Sequence, residues 1–360
     1  MAGRPGVSFA LRELDAAQWS AELAANPAVH LLQRAEWGQL KAQFGWQPQR
    51  IAIYNQHGFC AGAQVLWRSQ YGLRVAYVPR GPVWSADQAA NRLLLQSLER
   101  LARKRWAAFL RLEPNLLDAG AADQLHSELL LAGYEQSRSM QPSASIHLDL
   151  QPELASLQAQ CSKGHRADVR RAERQGVSIR VGTTEADLDQ FYAIMQATSQ
   201  RANFGIHSRE YYAQAWRLFG GDQADGAARL LIAEREGRVI GSFLVFAQGT
   251  EAQYMYSGTN EEGLKFAASH ALQWAAITWA KQRGCTLYDF WGIPEAFLAL
   301  EATTDPAERE RLDQAAQATG MAGVYRFKKG WGGQPVRYLP AYDRVFLRPA
   351  YWLWQRRRSE

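Results

Sequence analysis

Alternating hydrophobic and polar residues recur in two stretches whose starts, residues 51 and 230, lie 179 positions apart. Residues 51–66 (IAIYNQHGFCAGAQVL) and 230–245 (LLIAEREGRVIGSFLV) each contain an alternating run, a polar turn with glycine and a second apolar run. At this spacing Gly58 falls on Gly237. Runs of this kind joined by a short turn are typical of β-hairpins. The pattern therefore predicts two hairpins related by an internal duplication.

The same spacing continues beyond the hairpins. The paired segments are, in order, a third strand (75–78 on 254–257), a helix (91–105 on 270–284), a strand (107–113 on 286–292) and a last strand (146–150 on 325–329). Strands are indicated by alternation and the helix by leucines at helical spacing. Each half is therefore predicted to run β-β-β-α-β-(α)-β. A repeat of this length indicates a duplicated domain rather than a solenoid.

Helix-forming sequence precedes each half, at residues 16–25, 34–44, 187–200 and 208–219. The resulting order of elements resembles that of the GNAT acyltransferase fold. We therefore predict an α/β (α+β) chain of two tandem GNAT-like domains with mixed sheets flanked by helices. The predicted domains are residues 1–150 and 151–334, and a tail from about 335 to 360 is expected to return to the first domain.

Composition points to an ordinary globular chain, with 47% hydrophobic and 21% charged residues among 360. Cys60, Cys161 and Cys285 form no CxxC pair, so they are interpreted as reduced thiols of a cytoplasmic protein. The sequence has neither an apolar run of about 18 residues nor a signal-peptide core. We expect a cytoplasmic protein.

Positive charge is unevenly distributed, although the net charge is only +6. Basic residues concentrate in four segments, 98–111, 163–180, 325–337 and 344–360. Such segregation indicates an anionic partner such as nucleic acid, a phosphate compound or an acidic membrane surface. Solvated helix faces are the simpler alternative for any one segment.

Two of these basic segments are predicted to be helices. In the first, Arg166, Arg170 and Arg174 follow an i, i+4, i+8 spacing after Lys163, so they share a face that could follow a phosphate backbone. A surface helix without a partner is equally consistent. The second, residues 345–358, combines arginines with aromatic residues and could lie against the inner face of an anionic membrane. A helix packed on the first domain is the favoured interpretation.

The segment 325–333 (YRFKKGWGG) carries the sharpest chemical signal. Alternating Tyr325, Phe327 and Lys329 predict a strand with Lys328 on the opposite face. A lysine held beside aromatic residues can stabilise a developing negative charge. A lysine that merely extends into solvent from an edge strand is the alternative.

Three further charged residues lie where strands are predicted to end. Asp289 sits in an apolar strand (YDFWGI) and could act as a general base, although a structural hydrogen bond is favoured. Glu113 (LRLEPN) is its near-equivalent in the first half. Arg80, in YVPRGPV, could clamp an anion or simply extend into solvent from a stiff turn.

Several classes of enzyme are disfavoured. The seven histidines show no metal-ligand spacing, and no G-x-S-x-G, Walker A or Rossmann motif is present. A hydrolytic triad, a nucleotide kinase and a metal site therefore lose support, and we predict no metal and no cofactor.

Five stretches together resemble the Fem-type peptidoglycan aminoacyltransferases, the FemABX family. They are QRAEWGQLK (33–41), YVPRGPV (77–83), HRADVRRAERQGV (165–177), YDFWGI (288–293) and YRFKKGWGGQPVRY (325–338). The resemblance spans roughly residues 30 to 340. It implies transfer of an amino acid from aminoacyl-tRNA, as co-substrate, to an amine on the stem peptide of a lipid-linked or UDP-linked peptidoglycan precursor.

The resemblance also implies roles for individual residues. Lys328 would lie at the transfer site with Phe327 beside it. Lys41 and Arg201 would contact phosphates or carboxylates of the precursor, and Tyr254 or Tyr256 would line the site.

Two other functions stay open. A tandem acetyltransferase would use acyl-coenzyme A, but residues 80–84 and 258–263 fit the expected Q/R-x-x-G-x-G/A phosphate loop poorly. A non-catalytic RNA-binding protein would retain the fold and would bind charged and uncharged tRNA alike.

Overall fold

The computed structural model describes residues 8–70, 72–118 and 120–359, apart from the side chains of residues 70, 121 and 357–359. The chain divides into two compact units. The first unit comprises Met1–Gln141 with Tyr338–Glu360, and the second comprises Pro142–Arg337.

The elements follow the predicted alternation of hairpins, helices and strands. The strands are β1 (Ala10–Leu14), β2 (Gln47–Asn55), β3 (Gly58–Gln70), β4 (Leu73–Val78), β5 (Ala107–Leu112), β6 (Glu135–Ser137), β7 (Ala144–Asp149), β8 (Ser178–Gly182), β9 (Ala228–Arg235), β10 (Arg238–Gln248), β11 (Glu251–Thr259), β12 (Leu287–Asp289), β13 (Gln334–Arg337) and β14 (Ala341–Val345). The helices are α1 (Ala16–Ala24), α2 (Ala35–Ala42), α3 (Gln88–Lys104), α4 (Ala121–Leu131), α5 (Leu154–Gln160), α6 (Lys163–Arg174), α7 (Glu185–Ala202), α8 (Arg209–Leu218), α9 (Glu261–Lys265), α10 (Ala268–Gln282), α11 (Ala296–Ala302), α12 (Pro306–Ala318), α13 (Ala322–Lys329) and α14 (Arg348–Ser359).

Each unit contains one mixed sheet, and the two sheets have the same order. The first is β1-β2-β3-β4-β5-β14-β6 and the second is β8-β9-β10-β11-β12-β7-β13. In each sheet the third and fourth of the duplicated strands pair in parallel, β4 with β5 and β11 with β12, and the other neighbours are antiparallel. The strand next to that parallel pair comes from a distant segment in both units, β14 in the first and β7 in the second.

The predicted duplication is confirmed over its first five elements. Hairpin β2–β3 corresponds to β9–β10, β4 to β11, α3 to α10 and β5 to β12, all at the predicted spacing. These elements form because their apolar residues are buried on both faces of the sheets, as the unbroken buried runs of β2, β5 and β10 show. Leu94 and Leu98 of α3 and Leu272 and Ile277 of α10 are fully buried in the two cores.

The last pair of the predicted repeat is wrong. Residues 325–329 belong to the helix α13, whereas residues 144–149 form β7, which pairs with β12 and β13 in the second sheet. In α13, Tyr325 and Lys328 are buried and lie three residues apart, which is helical spacing. A five-residue aromatic run fits either period, so alternation alone misidentified it.

The boundaries of the two units also differ from the predicted domain boundaries. Ile146 and Leu148 of β7 join the core of the second unit, so the first unit ends at Gln141 rather than at residue 150. Pro335 lies in β13 of the second sheet, so the segment that returns to the first unit begins at Tyr338.

The C-terminal segment is built into the first unit. Strand β14 pairs with β5 and β6, and α14 places Tyr351 and Trp354 against Phe109, with ring centroids 5.1 and 4.7 Å from it. Within the part of the chain that the structure describes, no helix is long and apolar enough to cross a membrane.

Candidate functional site

Lys328 is a buried lysine near the end of α13, where its ammonium faces two backbone carbonyls. Its Nζ donates to the carbonyl oxygens of Trp291 (3.1 Å) and Gly292 (2.7 Å) and lies 5.7 Å from the ring centroid of Tyr254. Burial lowers its pKa to about 8, although the charge of Asp289 opposes this shift. The result is a desolvated cation held in one orientation.

A strained turn after β12 orients the carbonyls of Trp291 and Gly292. Trp291 has φ +60°, a left-handed conformation that is uncommon for a bulky residue. Its N–H donates to the carboxylate of Asp289 (2.7 Å), which also accepts from the hydroxyl of Ser145. Gly292 packs tightly here, because a Cβ would lie 2.9 Å from the Cγ of Pro142. Asp289 thus holds the turn that presents both carbonyls to Lys328.

The electrostatics of Asp289 argue against a general base. Burial alone would raise its pKa, but His147 nearby, the hydroxyl of Ser145 and the N–H of Trp291 outweigh burial and hold the pKa below its usual range. The nearest nitrogen of His147 lies 3.8 Å from the carboxylate. A carboxylate that is stabilised in this way is a weak proton acceptor. The geometry therefore favours the structural role for Asp289.

A histidine from α6 fixes the end of α13. His165 contacts the carbonyl of Phe327 through Nε2 (2.8 Å), so this nitrogen carries the proton, and its Nδ1 faces the hydroxyl of Ser162 (2.9 Å). The ring packs closely against Gly330, where a Cβ would stand 2.0 Å from Cε1. Phe327 itself packs against His165 and His270. Phe327 therefore lies beside Lys328 but within an aromatic cluster.

A β-bulge separates the two candidate tyrosines. Leu244 of β10 pairs with Tyr256 but Phe246 pairs with Gln253, so β11 contains an extra residue between them. Tyr254 and Tyr256, two residues apart, therefore contact different groups. Tyr254 faces Lys328 and Phe290, whereas Tyr256 packs with Tyr212 and Phe246. Only Tyr254 lies near Lys328.

The first unit has its own buried polar cluster. Glu113 accepts from the hydroxyl of Tyr77 (2.5 Å) and from the backbone N–H of Met140, and burial raises its pKa. Arg80 is buried with its guanidinium 3.7 Å above the ring centroid of Tyr338. The alternative that Arg80 extends into solvent is therefore wrong.

The two predicted anion contacts lie in different units. In the first unit, Lys41 of α2 places its ammonium 4.8 Å from the Trp37 ring, and burial with the nearby charge of Arg68 lowers its pKa to about 8. In the second unit, Arg201 near the end of α7 is exposed and donates to the carbonyl of Thr259 (2.7 Å).

The basic face of α6 is smaller than its sequence indicates. Arg166 donates to the carbonyls of Ala159 (2.7 Å) and Cys161 (2.5 Å), so it caps the end of α5. Lys163, Arg170 and Arg174 are exposed. Three of the four predicted tRNA contacts therefore face solvent.

The sequence did not reveal Ser145, His165 or the carbonyls of Trp291 and Gly292 as parts of this site. The run of glycines after Lys329 is the one available signal, because Gly330 is required for the close approach of His165. In the described part of the chain, no three His, Cys, Asp or Glu side chains are grouped closely enough to hold a metal ion.

Comparison with known proteins shows the relationship of the chain as a whole. The model of the FemAB family matches residues 14–236 and 222–355. A UDP-N-acetylmuramoylpentapeptide-lysine N(6)-alanyltransferase of Weissella viridescens is 24% identical over 285 residues, 74% of this chain and 81% of the relative. A lipid II:glycine glycyltransferase of Staphylococcus saprophyticus is 22% identical over 399 residues, 91% of each chain.

Solved structures show the same fold. The crystal structure of FemX covers 96% of this chain and 99% of its own, with a TM-score of 0.80 and 18% identity. A tandem GNAT protein from the clavulanic acid biosynthesis pathway covers 94% of this chain and 98% of its own, with a TM-score of 0.53 and 12% identity. The predicted tandem GNAT-like fold and the predicted family are confirmed.

Proposed function

Because the chain belongs to the FemAB family, we propose that it transfers an amino acid from aminoacyl-tRNA to an amine on the stem peptide of a peptidoglycan precursor. The names of its relatives support the acceptor, since one acts on a UDP-linked muramoyl pentapeptide and the other on lipid II. The observation that carries the proposal for this chain is the buried ammonium of Lys328.

Lys328 has one donor to offer a substrate. Its ammonium carries three N–H groups, and the carbonyls of Trp291 and Gly292 take two. Among the described residues, no further protein acceptor takes the third. A cation in a low-dielectric setting, already oriented by the protein, stabilises a developing negative charge without reorganisation.

The proposed reaction is direct acyl transfer. The acceptor amine attacks the ester carbon of aminoacyl-tRNA, and the carbonyl oxygen becomes an oxyanion that Lys328 stabilises. The ester C–O bond then breaks, the peptide bond remains, and the ribose oxygen leaves with the proton that the amine gives up. This substrate-assisted proton transfer needs no protein base, which agrees with the low pKa of Asp289. An ester is already activated, so positioning replaces a covalent intermediate.

The remaining candidates are assigned to substrate binding. Lys41 and Arg201 would contact phosphates or carboxylates of the precursor, and Tyr254 would line the transfer site beside Lys328. Arg80 and Glu113, both buried, would shape the precursor site from within the first unit. Lys163, Arg170 and Arg174 would contact the tRNA backbone.

A transfer assay tests the proposal. The protein is incubated with tRNA charged with radiolabelled alanine or glycine and with a UDP-linked lysine-containing muramoyl pentapeptide. Label should appear in the pentapeptide and should require the ester link to tRNA. Transfer from acyl-coenzyme A instead would identify an acetyltransferase. Equal binding of charged and uncharged tRNA without any transfer would indicate a non-catalytic RNA-binding protein.

The rate of transfer should fall as pH rises through about 8, because Lys328 must be protonated to stabilise the oxyanion and burial lowers its pKa to about 8. Single-turnover rates across this range measure the effect. In Lys328→Arg the guanidinium stays charged, so the fall should disappear even if the overall rate is lower. A fall that is identical in both proteins would assign the titration to another group.

Binding to tRNA should weaken as salt rises, and replacing Lys163, Arg170 and Arg174 with alanine should flatten that dependence. Each lost phosphate contact lowers the slope of log K against log salt by roughly 0.7–0.9. Arg166 is left in place because it caps α5. Arg311→Ala, at an exposed arginine of α12, serves as the control. An unchanged slope in the triple variant would make this face of α6 a solvated surface.

A further inference from the structure

Large apolar side chains are exposed at one edge of the first unit, where β5 begins and β14 ends. Trp106 is 81% exposed, Trp352 52%, Leu353 50% and Leu347 42%. Trp106 also has φ +55°, so a strained backbone holds an aromatic ring that no core contact explains.

These residues come from segments that the fold brings together. Strand β14 runs antiparallel to β5, and the N–H of Leu347 donates to the carbonyl of Ala108 (3.0 Å), two residues after Trp106. Helix α14 begins at the next residue, Arg348. Its inner face packs through Tyr351 and Trp354, so Trp352 and Leu353 lie on the outer face.

Exposed basic residues lie beside the apolar ones in the chain or on the strand that pairs with β5. They are Arg74, Arg103, Lys104, Arg348 and Arg356. The guanidinium of Arg356 lies 4.2 Å from the Trp352 ring centroid. The nearby acids are Glu99, which pairs with Arg103 and Arg344, and Glu135, which pairs with Arg348. The four apolar and five basic residues are called the tryptophan–arginine face.

We propose that the tryptophan–arginine face docks the protein on an anionic lipid bilayer. Tryptophan and leucine beside arginine are the composition of helices that lie in the membrane interface, with rings among the headgroups and cations on anionic lipids. A nucleic-acid surface would supply phosphates for the arginines but no apolar phase for Leu347 and Leu353. The inference goes beyond the proposed transfer reaction and needs neither tRNA nor precursor.

Vesicle sedimentation of the full chain tests the inference. Binding should be stronger to vesicles that contain phosphatidylglycerol than to pure phosphatidylcholine, and it should weaken with salt. Trp352→Ser with Leu353→Ser should lower binding at least tenfold, and Trp106→Ser severalfold. Arg356→Gln with Lys104→Gln should reduce the preference for phosphatidylglycerol.

The matched control is Leu131→Ser on α4, where the leucine is 88% exposed. This variant should bind vesicles as the wild type does. All substituted side chains are exposed, so unfolding temperatures should stay unchanged. The inference is wrong if the Trp352 and Leu353 variant binds vesicles normally, or if the Leu131 variant loses as much binding. It is also wrong if the Trp352 and Leu353 variant loses affinity for tRNA rather than for vesicles. Because no substrate is present, these outcomes are independent of whether aminoacyl transfer occurs.

Discussion

Lys328→Met should lower the single-turnover rate of aminoacyl transfer by roughly 100-fold or more, with little change in precursor affinity. An oriented donor to an oxyanion contributes about 3 kcal/mol to the transition state, and methionine keeps the length of the side chain without its charge. The lysine is buried with its ammonium fixed by the carbonyls of Trp291 and Gly292. The rate of transfer from charged tRNA and the affinity for the pentapeptide are measured separately.

The adjacent lysine supplies a matched control. Lys329 lies on the same helix but forms an ion pair with Glu301 (2.9 Å) at the surface, so Lys329→Met should leave the rate within a few-fold of the wild type. Thermal unfolding of both variants shows whether loss of the buried donor disturbs the turn after β12. Near-normal transfer by Lys328→Met would make Lys328 structural. A parallel fall in rate and affinity would mean that Lys328 holds the substrate.

The duplicated hairpins could be predicted because their signal is local and strong. Strands β2 and β3 pair as the predicted hairpin requires, with Ile51 opposite Ala63 and Ala52 opposite Gly62. The same holds for β9 and β10, where Leu231 lies opposite Phe243. Two apolar runs joined by a short polar turn indicate a hairpin even where both faces of a strand are buried, as in β2 and β10, so both the elements and their repeat follow from sequence.

The setting of Lys328 could not be predicted from the same kind of pattern. The repeat pairs residues 325–329 with residues 146–150 as strands, but Lys328 lies on α13, and Asp149 pairs with Leu287 in the second sheet. The predicted strand at residues 325–329 is therefore wrong. The lysine was identified by its aromatic and glycine neighbours, which do form the packed cluster around His165.

The partners of Lys328 and Asp289 are also beyond local patterns. Ser145, which donates to Asp289, lies 144 residues earlier in the chain, on a strand that the repeat assigned to the first domain. Nothing in a single sequence indicates that β7 enters the second sheet and β14 the first. Both strands pair with segments that are distant in the sequence, so their positions are a property of the assembled unit.

The charge pattern was also misleading at Arg111. Arg111 was counted in a basic segment with an anionic partner outside the protein, but it is buried against Asp343 of β14. Its Nε and Nη2 donate to the two carboxylate oxygens at 2.7 and 2.5 Å, and the hydroxyl of Tyr351 donates to the same carboxylate (2.7 Å). The ion pair joins the C-terminal segment to β5 of the first sheet.

Asp343→Ala should therefore lower the free energy of unfolding by about 3–5 kcal/mol, because it leaves the guanidinium of Arg111 buried without its counter-charge. For a unit of this size the unfolding temperature should fall by roughly 6–20 °C. Thermal and denaturant unfolding measure the change. Helix α14 should loosen at the same time, since Tyr351 loses its acceptor.

Two controls separate the buried charge from the contact itself. Arg111→Met with Asp343→Leu removes both charges and fills the space, so it should be far less destabilising than Asp343→Ala alone. Glu308→Ala breaks an ion pair of the same 2.5 Å length on the exposed face of α12 and should change the free energy of unfolding by about 1 kcal/mol or less. If Asp343→Ala were as mild as Glu308→Ala, solvent would have to reach Arg111. The ion pair would then not be what fastens the C-terminal segment to the first unit, and the aromatic packing of Tyr351 and Trp354 on Phe109 would have to hold it.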